Sequence, residues 1–430
     1  MNILLLSGGS GKRLWPLSND VRSKQFLKLF KDGTGEFESM AQRVYRQIKA
    51  VSPDSTVTVA TGENQVSAIR NQLGGKVGIC VEPSRRDTFP AIALACAYLK
   101  SERGLTPEDV VIVCPVDPYV EIGYFQALQR LEAAVTEGGA NLTLMGVKPT
   151  YPSEKYGYII PENGTEAMRN VSAFQEKPDL ETAKRYIAQG ALWNCGVFAF
   201  RLGYLLHILQ AYIPFDRYQD VYDHYDRLPK ISFDYAVVEK ETSVKCIEFS
   251  GAWKDVGTWN TLTEVMDTPA IGKVVLDDTC GGVHVINELD VPVLVMGAQD
   301  MVVAASADGI LVSSKEQSSN MKPYVEKLGQ RVMFEEKSWG TFTILNIEKN
   351  ALTIKLHVNA GKSMRYHMHE DRDEIWTVLS GEGEIRLDGV IRKVSAGDVI
   401  RLPKGVRHTL RATTDMRLIE TQLETGVPEN

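Results

Sequence analysis

The run Ser7-Gly8-Gly9-Ser10-Gly11-Lys12-Arg13, arriving straight after the apolar stretch Asn2 to Leu6, holds residue types that wrap phosphate. Glycines let backbone N–H groups approach an anion closely and form a concave nest, and a guanidinium takes phosphate oxygens in bidentate fashion. Spacing excludes two nucleotide motifs. A dinucleotide fingerprint requires Gly-x-Gly-x-x-Gly, and a Walker loop requires Gly-Lys followed by Ser or Thr, whereas Arg13 follows Lys12. Many doubly wound sheets place glycine after the first strand only to make a tight turn, so the loop alone assigns no function. It is extended by Trp15-Pro16-Leu17-Ser18 and by a second basic cluster, Arg22, Lys24 and Gln25.

Two carboxylates stand out downstream. Asp117 and Asp255 each close an apolar stretch beside proline or glycine, where a side chain can point into a site. A third constellation lies near the C-terminus. His367 and His369, at i and i+2, share one face of a strand, and Glu374 and His408 add a carboxylate and a third imidazole. Together they form a sensible ligand set for a divalent metal.

The elements that position these residues follow from periodicity. Strands are expected at Asn2 to Leu6, Thr56 to Ala60, Val77 to Val81 and Val110 to Val116, with Asp117 at the end of the last. Helices are expected at Glu38 to Ala50, Asn64 to Leu73 and Thr88 to Lys100. Such alternation predicts a parallel, helix-covered sheet whose ligands sit beyond the carboxyl ends of the strands, where the glycine loop and Asp117 fall. Leu142 to Val147, Tyr156 to Ile160, Val171 to Gln175 and Leu192 to Phe198 continue the β pattern, with a helix at Leu180 to Ala188. A buried segment runs near Asp234 to Glu239. From Ile271 to Val312 the chain breaks into short β runs between Gly and Asp turns, as in a small stacked β module or β-helix. Lys315 to Gln330 is polar and reads as a linker, and the last hundred residues are again β-rich.

Composition narrows the function classes. A chain of 430 residues suits two or three domains, and 43% hydrophobic with 24% charged residues is an ordinary globular balance. The net charge of −7 argues against general binding to nucleic acid or to an anionic membrane, so any phosphate site is local. Six scattered cysteines without a C-x-x-C pair suit reduced thiols in a cytoplasmic protein. The opening LLLSGG is too short an apolar run for a signal peptide.

Taken together, the loop from Gly8 to Ser18, Lys24-Gln25-Phe26, Glu82-Pro83 with Arg86, Asp117, Glu176-Lys177-Pro178, Trp193-Asn194-Cys195-Gly196 and Asp255-Val256-Gly257 resemble the sugar-nucleotide pyrophosphorylases. The nearest resemblance is to the long-type bacterial mannose-1-phosphate guanylyltransferases, whose C-terminal cupin is related to type II phosphomannose isomerase. It covers nearly the whole chain. It implies an α/β class: a Rossmann-like nucleotidyltransferase domain with a mixed, mainly parallel sheet (1–265), a β-helix-like module and linker (266–330), and a cupin β-barrel (331–430). The implied reaction is GTP plus α-mannose 1-phosphate giving GDP-mannose, a polysaccharide precursor, and pyrophosphate. A sugar-phosphate oxygen attacks the α-phosphorus in line, so aligning and neutralising two polyanions supplies most of the catalysis.

On this resemblance Leu6, Ser7, Gly8, Gly9, Gly11, Lys12, Arg13, Glu82 and Arg86 bind the nucleotide, with Arg13 cradling its phosphates. Lys24 neutralises the α-phosphate or leaving group. Asp117 and Asp255 hold Mg²⁺. Lys177 grips the sugar phosphate, and Glu176, Asn194 and the Gly157 backbone take sugar hydroxyls. His367, His369, Glu374 and His408 hold the cupin metal, such as Zn²⁺ or Mn²⁺. The expected partners are GTP and mannose 1-phosphate, with neither nucleic acid nor membrane, and the β module makes a homodimer the expected assembly.

The chain also departs from the family pattern. Lys12 stands where Thr is usual, Ser23 where Pro is, Asp87 where Asn is, and Val116-Asp117-Pro118 where Ala-Asp-His is. In the cupin, Arg365 replaces a usual Gln, the gap before Glu374 is longer, and Ala412 stands where Asn is common. Three alternatives therefore stand beside the main reading: a bifunctional enzyme whose cupin isomerises mannose 6-phosphate, a pyrophosphorylase for another sugar or nucleotide, and a non-catalytic sugar-nucleotide sensor.

Overall fold

The computed structural model describes residues 1–9, 11–164, 166–329 and 331–424. The chain divides into two compact units, one formed by Met1–Gly9 with Gln25–Gly257, the other by Ser10–Lys24 with Thr258–Asn430.

The first unit is built on a nine-stranded sheet. Gly78–Glu82, Thr56–Gly62, Asn2–Ser7 and Val110–Pro115 lie side by side in parallel. Leu192–Arg201 then runs antiparallel to both Val110–Pro115 and Leu142–Val147. Val244–Phe249, Met168–Gln175 and Tyr158–Pro161 complete the order. The sheet is mixed because this central strand and Met168–Gln175 reverse, where alternation alone predicts a parallel sheet. The central strand's residues are apolar and mostly buried, so composition does not betray its direction.

Helix Thr88–Arg103 is buried over ten residues and packs on the parallel strands. The Asp87 carboxylate accepts the Thr88 N–H, and Gly104, at φ 72°, ends the helix in the left-handed region that glycine adopts freely. Helix Met40–Val51 begins two residues later than periodicity suggests, because Phe37–Ser39 is a short strand and Ser39 forms a capping box with Gln42. Helices Ile122–Glu137 and Leu202–Gln210 have no counterpart in the sequence reading.

The second unit carries a β module and a cupin barrel. In the module Ala270–Ile271, His284–Asn287 and Met301–Ser306 stack in parallel, as do Val274–Leu276 and Val293–Val295, which is the rung pattern of a β-helix. The barrel has a six-stranded and a three-stranded sheet around a core that includes Ile354, Leu356, Trp376, Ile400 and Leu418. The segment after the glycine loop belongs to this unit. Asn19 Nδ2 donates to Asp308 at 2.6 Å, Ser306 Oγ to the Pro16 carbonyl at 2.7 Å, and Trp259 Nε1 to the Trp15 carbonyl at 3.1 Å. Arg22 makes a bidentate pair with Glu288 at 2.7 and 2.9 Å. The basic residue that the sequence groups with Lys24 is thus an anchor to the β module. No described helix is long and apolar enough to cross a membrane.

Candidate active site and metal centre

In the first unit, two cavities open at the carboxyl ends of the central strands and share Pro115 and Asp117. One, of about 350 Å³, is lined by Leu6, Ser7, Gly8, Gly9, Glu82 and Arg86 among others. The other, of about 230 Å³, is lined by Asp117, Gly157, Glu176, Asn194, Asp234 and Asp255 among others. A two-stranded ladder brings the carboxylates together. Trp253–Asp255 pairs antiparallel with Pro118–Val120, and Asp255 lies opposite Pro118, the neighbour of Asp117. Residues 138 positions apart therefore meet through three pairs that no local sequence pattern announces.

Around the larger cavity the backbone is held by buried polar contacts. Ser7 Oγ donates to Gln65 at 2.9 Å and accepts from Gln25 Nε2 at 3.0 Å, while Thr61 also donates to Gln65 at 3.0 Å. Gly9, at φ 112°, leaves the strand in a conformation that L side chains rarely adopt. Glu82 accepts from Tyr225 Oη at 2.7 Å, and burial raises its pKa against that bond. Arg86 Nε donates to the Leu228 carbonyl at 3.0 Å. Gly11, Lys12, Arg13 and Lys24 lie on the segment of the second unit. There Lys12 pairs with Asp20 at 3.2 Å, Arg13 is exposed and Lys24 is half-buried.

The smaller cavity has a dense polar wall. Lys177 Nζ lies 2.7 Å from Glu176 Oε1, and the Glu176 N–H donates to Glu239 at 2.9 Å. Burial opposes the charged Lys177, but Glu176 holds its pKa above the ordinary value. The Asn194 N–H donates to the Gly157 carbonyl at 2.8 Å. A Cβ on Gly157 would lie 2.5 Å from Glu176 Oε2, so the glycine makes room for that carboxylate. Asn194 Nδ2 donates to Asp234 Oδ1 at 2.7 Å, and Asn194 Oδ1 accepts the Gly196 N–H at 3.1 Å.

Asp234 and Glu239 are absent from the residues singled out for chemistry in the sequence. Their one signal there is a buried segment carrying carboxylates.

Burial first, and then repulsion from Glu176, push the Asp234 carboxyl up to about 7 from 3.8. The unfolded chain releases this proton near pH 4 and the folded chain near pH 7, so the folded state holds more protons in that window and stability falls as pH rises through it. Asp234→Asn removes the ionisation. Thermal melts should show the variant gaining on the wild type from pH 4 to pH 8; parallel curves would contradict the burial of this carboxyl.

In the cupin, ligand atoms of His367, His369 and His408 lie within 4.8 Å of one another. The Nδ1 atoms of His367 and His408 sit 2.6 and 3.1 Å from the carbonyls of Arg365 and Val406. A carbonyl only accepts, so each Nδ1 carries hydrogen, which leaves Nε2 for a metal when the ring is neutral. His408 Nε2 is buried and without a hydrogen-bond partner among the described residues. Such an orphaned imidazole nitrogen fits a metal ligand.

Glu374 stands 3.1 Å from His369 and 3.5 Å from His408, accepting from Arg372 Nε at 3.1 Å and Trp376 Nε1 at 3.2 Å. Burial works against its charge, but His408, His369 and Arg372 hold its pKa below the ordinary carboxylate range. Glu420, buried behind it and bonded to Gln422 at 2.6 Å, is a further carboxyl that the motif reading misses. His408→Ala should cut bound transition metal in the purified chain by at least about tenfold, read by elemental analysis, since a lost ligand costs affinity on at least the scale of a lost outer-shell partner. Unchanged metal content would remove His408 from the centre.

The fold and site define a nucleotide-transferring enzyme with an appended cupin, and comparison with known proteins agrees. The nucleotidyl transferase family model matches residues 2–270 and the cupin domain model residues 354–421. The chain belongs to the nucleotidyl transferase family. It is similar to the xanthan biosynthesis protein XanB of Xanthomonas campestris pv. campestris (strain B100), at 30% identity over 97% of this chain and 94% of that protein. It is also similar to mannose-1-phosphate guanylyltransferase of Escherichia coli K12, at 28% identity over 95% of this chain and 91% of that one. Among solved structures, one described as mannose-1-phosphate geranyltransferase from Thermus thermophilus aligns with a TM-score of 0.63 and 29% identity, covering 76% of this chain and 99% of that one.

Proposed function

We propose that the chain is a mannose-1-phosphate guanylyltransferase, joining GTP and α-mannose 1-phosphate to give GDP-mannose and pyrophosphate. One observation carries this reading: Asp117 lines both a cavity bounded by the glycine turn and a polar cavity that also contains Asp255. Two substrates can thus be placed with their phosphates meeting at one pair of carboxylates. The two carboxylates suit Mg²⁺, a hard cation, and when bound it supplies charge neutralisation at the reacting phosphates.

The chain's own groups do the rest. Leu6, Ser7, Gly8, Gly9, Glu82 and Arg86 hold the nucleotide, and the loop residues Gly11, Lys12, Arg13 and Lys24 are the proposed contacts to its phosphates. Lys177, backed by Glu176, draws in the sugar phosphate and orients its oxygen toward the α-phosphorus. Gly157, Glu176 and Asn194 receive the sugar. Direct in-line attack needs no covalent intermediate on the enzyme. Pyrophosphate release from GTP and mannose 1-phosphate that stops with chelator and returns with Mg²⁺ is the expected result; metal-independent release would contradict the carboxylate assignment.

In the cupin, His367, His369, Glu374 and His408 are the proposed ligands of a divalent transition metal, which an isomerase activity on mannose 6-phosphate would use. A homodimer through the β module is supported by the exposed Val275 and Leu294, paired on its ladder, and by the exposed Met296 just after it. Light scattering should give twice the chain mass, and a monomeric mass would refute it.

A further inference from the structure

The segment Phe233–Ala236 with Val238–Lys240 supplies Asp234 to the wall of the smaller cavity, bonded to the Asn194 side chain, and Glu239 to the backbone of Glu176. Asn194 is pinned at both ends of its amide, with Nδ2 on Asp234 and Oδ1 on the Gly196 N–H. Much of its hydrogen-bonding capacity is therefore spent inside the protein. Asp234 is held by one oxygen, Oδ1, and lines the cavity beside Glu176.

Glu176 is paired with the Lys177 ammonium, whereas Asp234 is bound by the neutral Asn194 amide, so Asp234 suits a hydroxyl of the substrate rather than its phosphate. A hydroxyl donates hydrogen to such an oxygen acceptor. The phosphate belongs with the cations, Lys177 beside Glu176 and Lys155 in the cavity wall, and with the Asp117 and Asp255 carboxylates that would bind its metal.

We propose that Asp234 is a specificity-determining residue that accepts a hydrogen bond from one hydroxyl of the sugar 1-phosphate, with Asn194 serving to fix its carboxyl. The inference rests on the guanylyltransferase reading and adds the residue that chooses among sugars. A site built around such an acceptor rejects a substrate lacking the matching hydroxyl, because the acceptor is then left unpaired.

The test is a cycle of enzyme and substrate changes. Wild type, Asp234→Ala and Asp234→Asn are assayed for pyrophosphate release with GTP and mannose 1-phosphate, and with each monodeoxy analogue of that sugar phosphate. Asp234→Ala should raise KM for mannose 1-phosphate on the order of tenfold while leaving KM for GTP unchanged. Against one monodeoxy analogue, the wild type should show the same loss and the variant no further loss. Asp234→Asn, which keeps an acceptor oxygen, should recover part of the discrimination, and it carries the test if the alanine variant does not fold. Additive losses with every analogue, or an unchanged KM, would overturn the assignment while wild-type turnover leaves the guanylyltransferase reading standing. A wild-type chain that releases no pyrophosphate with any analogue would overturn both.

Discussion

Asp117→Ala should lower kcat for pyrophosphate release at least about a thousandfold, roughly 4 kcal/mol of transition-state stabilisation, with the thermal midpoint little changed. Asp117 follows the buried strand Val110–Pro115, is itself half-buried and forms part of both cavity walls. Its removal leaves the strand core, which includes Val111, Ile112 and Val113, untouched. The expected loss is therefore chemical, because the carboxylate serves the meeting point of two phosphates. Mg²⁺ titration should also show the variant needing more metal to reach its residual rate. Wild-type turnover in a folded Asp117→Ala protein would remove this residue from the reaction.

Lys177→Met should cost about 2–3 kcal/mol in kcat/KM for the sugar phosphate, about 30- to 150-fold, with KM for GTP nearly unchanged. The ammonium is half-exposed while its partner Glu176 is buried. Substitution thus removes a cation for the substrate and also leaves a buried carboxylate unpaired, two effects that act in the same direction. Methionine preserves most of the stem, which isolates the charge. Steady-state kinetics with each substrate varied in turn will separate the two KM values; an equal rise in both would mean a general distortion of the site.

Much of the site was legible in the sequence because its parts sit at strand ends, and strands with their terminal glycines, prolines and carboxylates are local patterns. Gly8, Gly9, Asp117, Gly157, Glu176, Asn194 and Asp255 line the two cavities as motif reading suggests. The meeting of Asp255 with Asp117 was not legible, since it depends on a three-residue ladder between segments far apart in the chain. Asp234 was hidden for a related reason. Its importance comes from one hydrogen bond to Asn194, forty residues earlier, and from burial beside Glu176.

The fold shows the same division. The parallel strands and the buried helix Thr88–Arg103 follow from β-branched and Ala-rich runs, and the β-helix rungs from their turns. The reversal of Leu192–Arg201 does not, because a strand buried on both faces carries the same apolar residues in either direction. The segment Trp15 to Arg22 likewise looks like a continuation of the phosphate loop, while its hydrogen bonds to Asp308, Ser306 and Glu288 tie it to the β module. In the cupin, spacing singled out three histidines whose ligand atoms gather within 4.8 Å, and only the packed barrel reveals Arg372 and Trp376 holding Glu374.

The most direct measurement is a matrix of nucleoside triphosphates against sugar 1-phosphates with Mg²⁺, reading pyrophosphate and identifying the nucleotide sugar by mass. GTP with mannose 1-phosphate should give the highest kcat/KM and yield GDP-mannose. Release of no pyrophosphate from any pair, or a clear preference for a different base or sugar, would contradict the account.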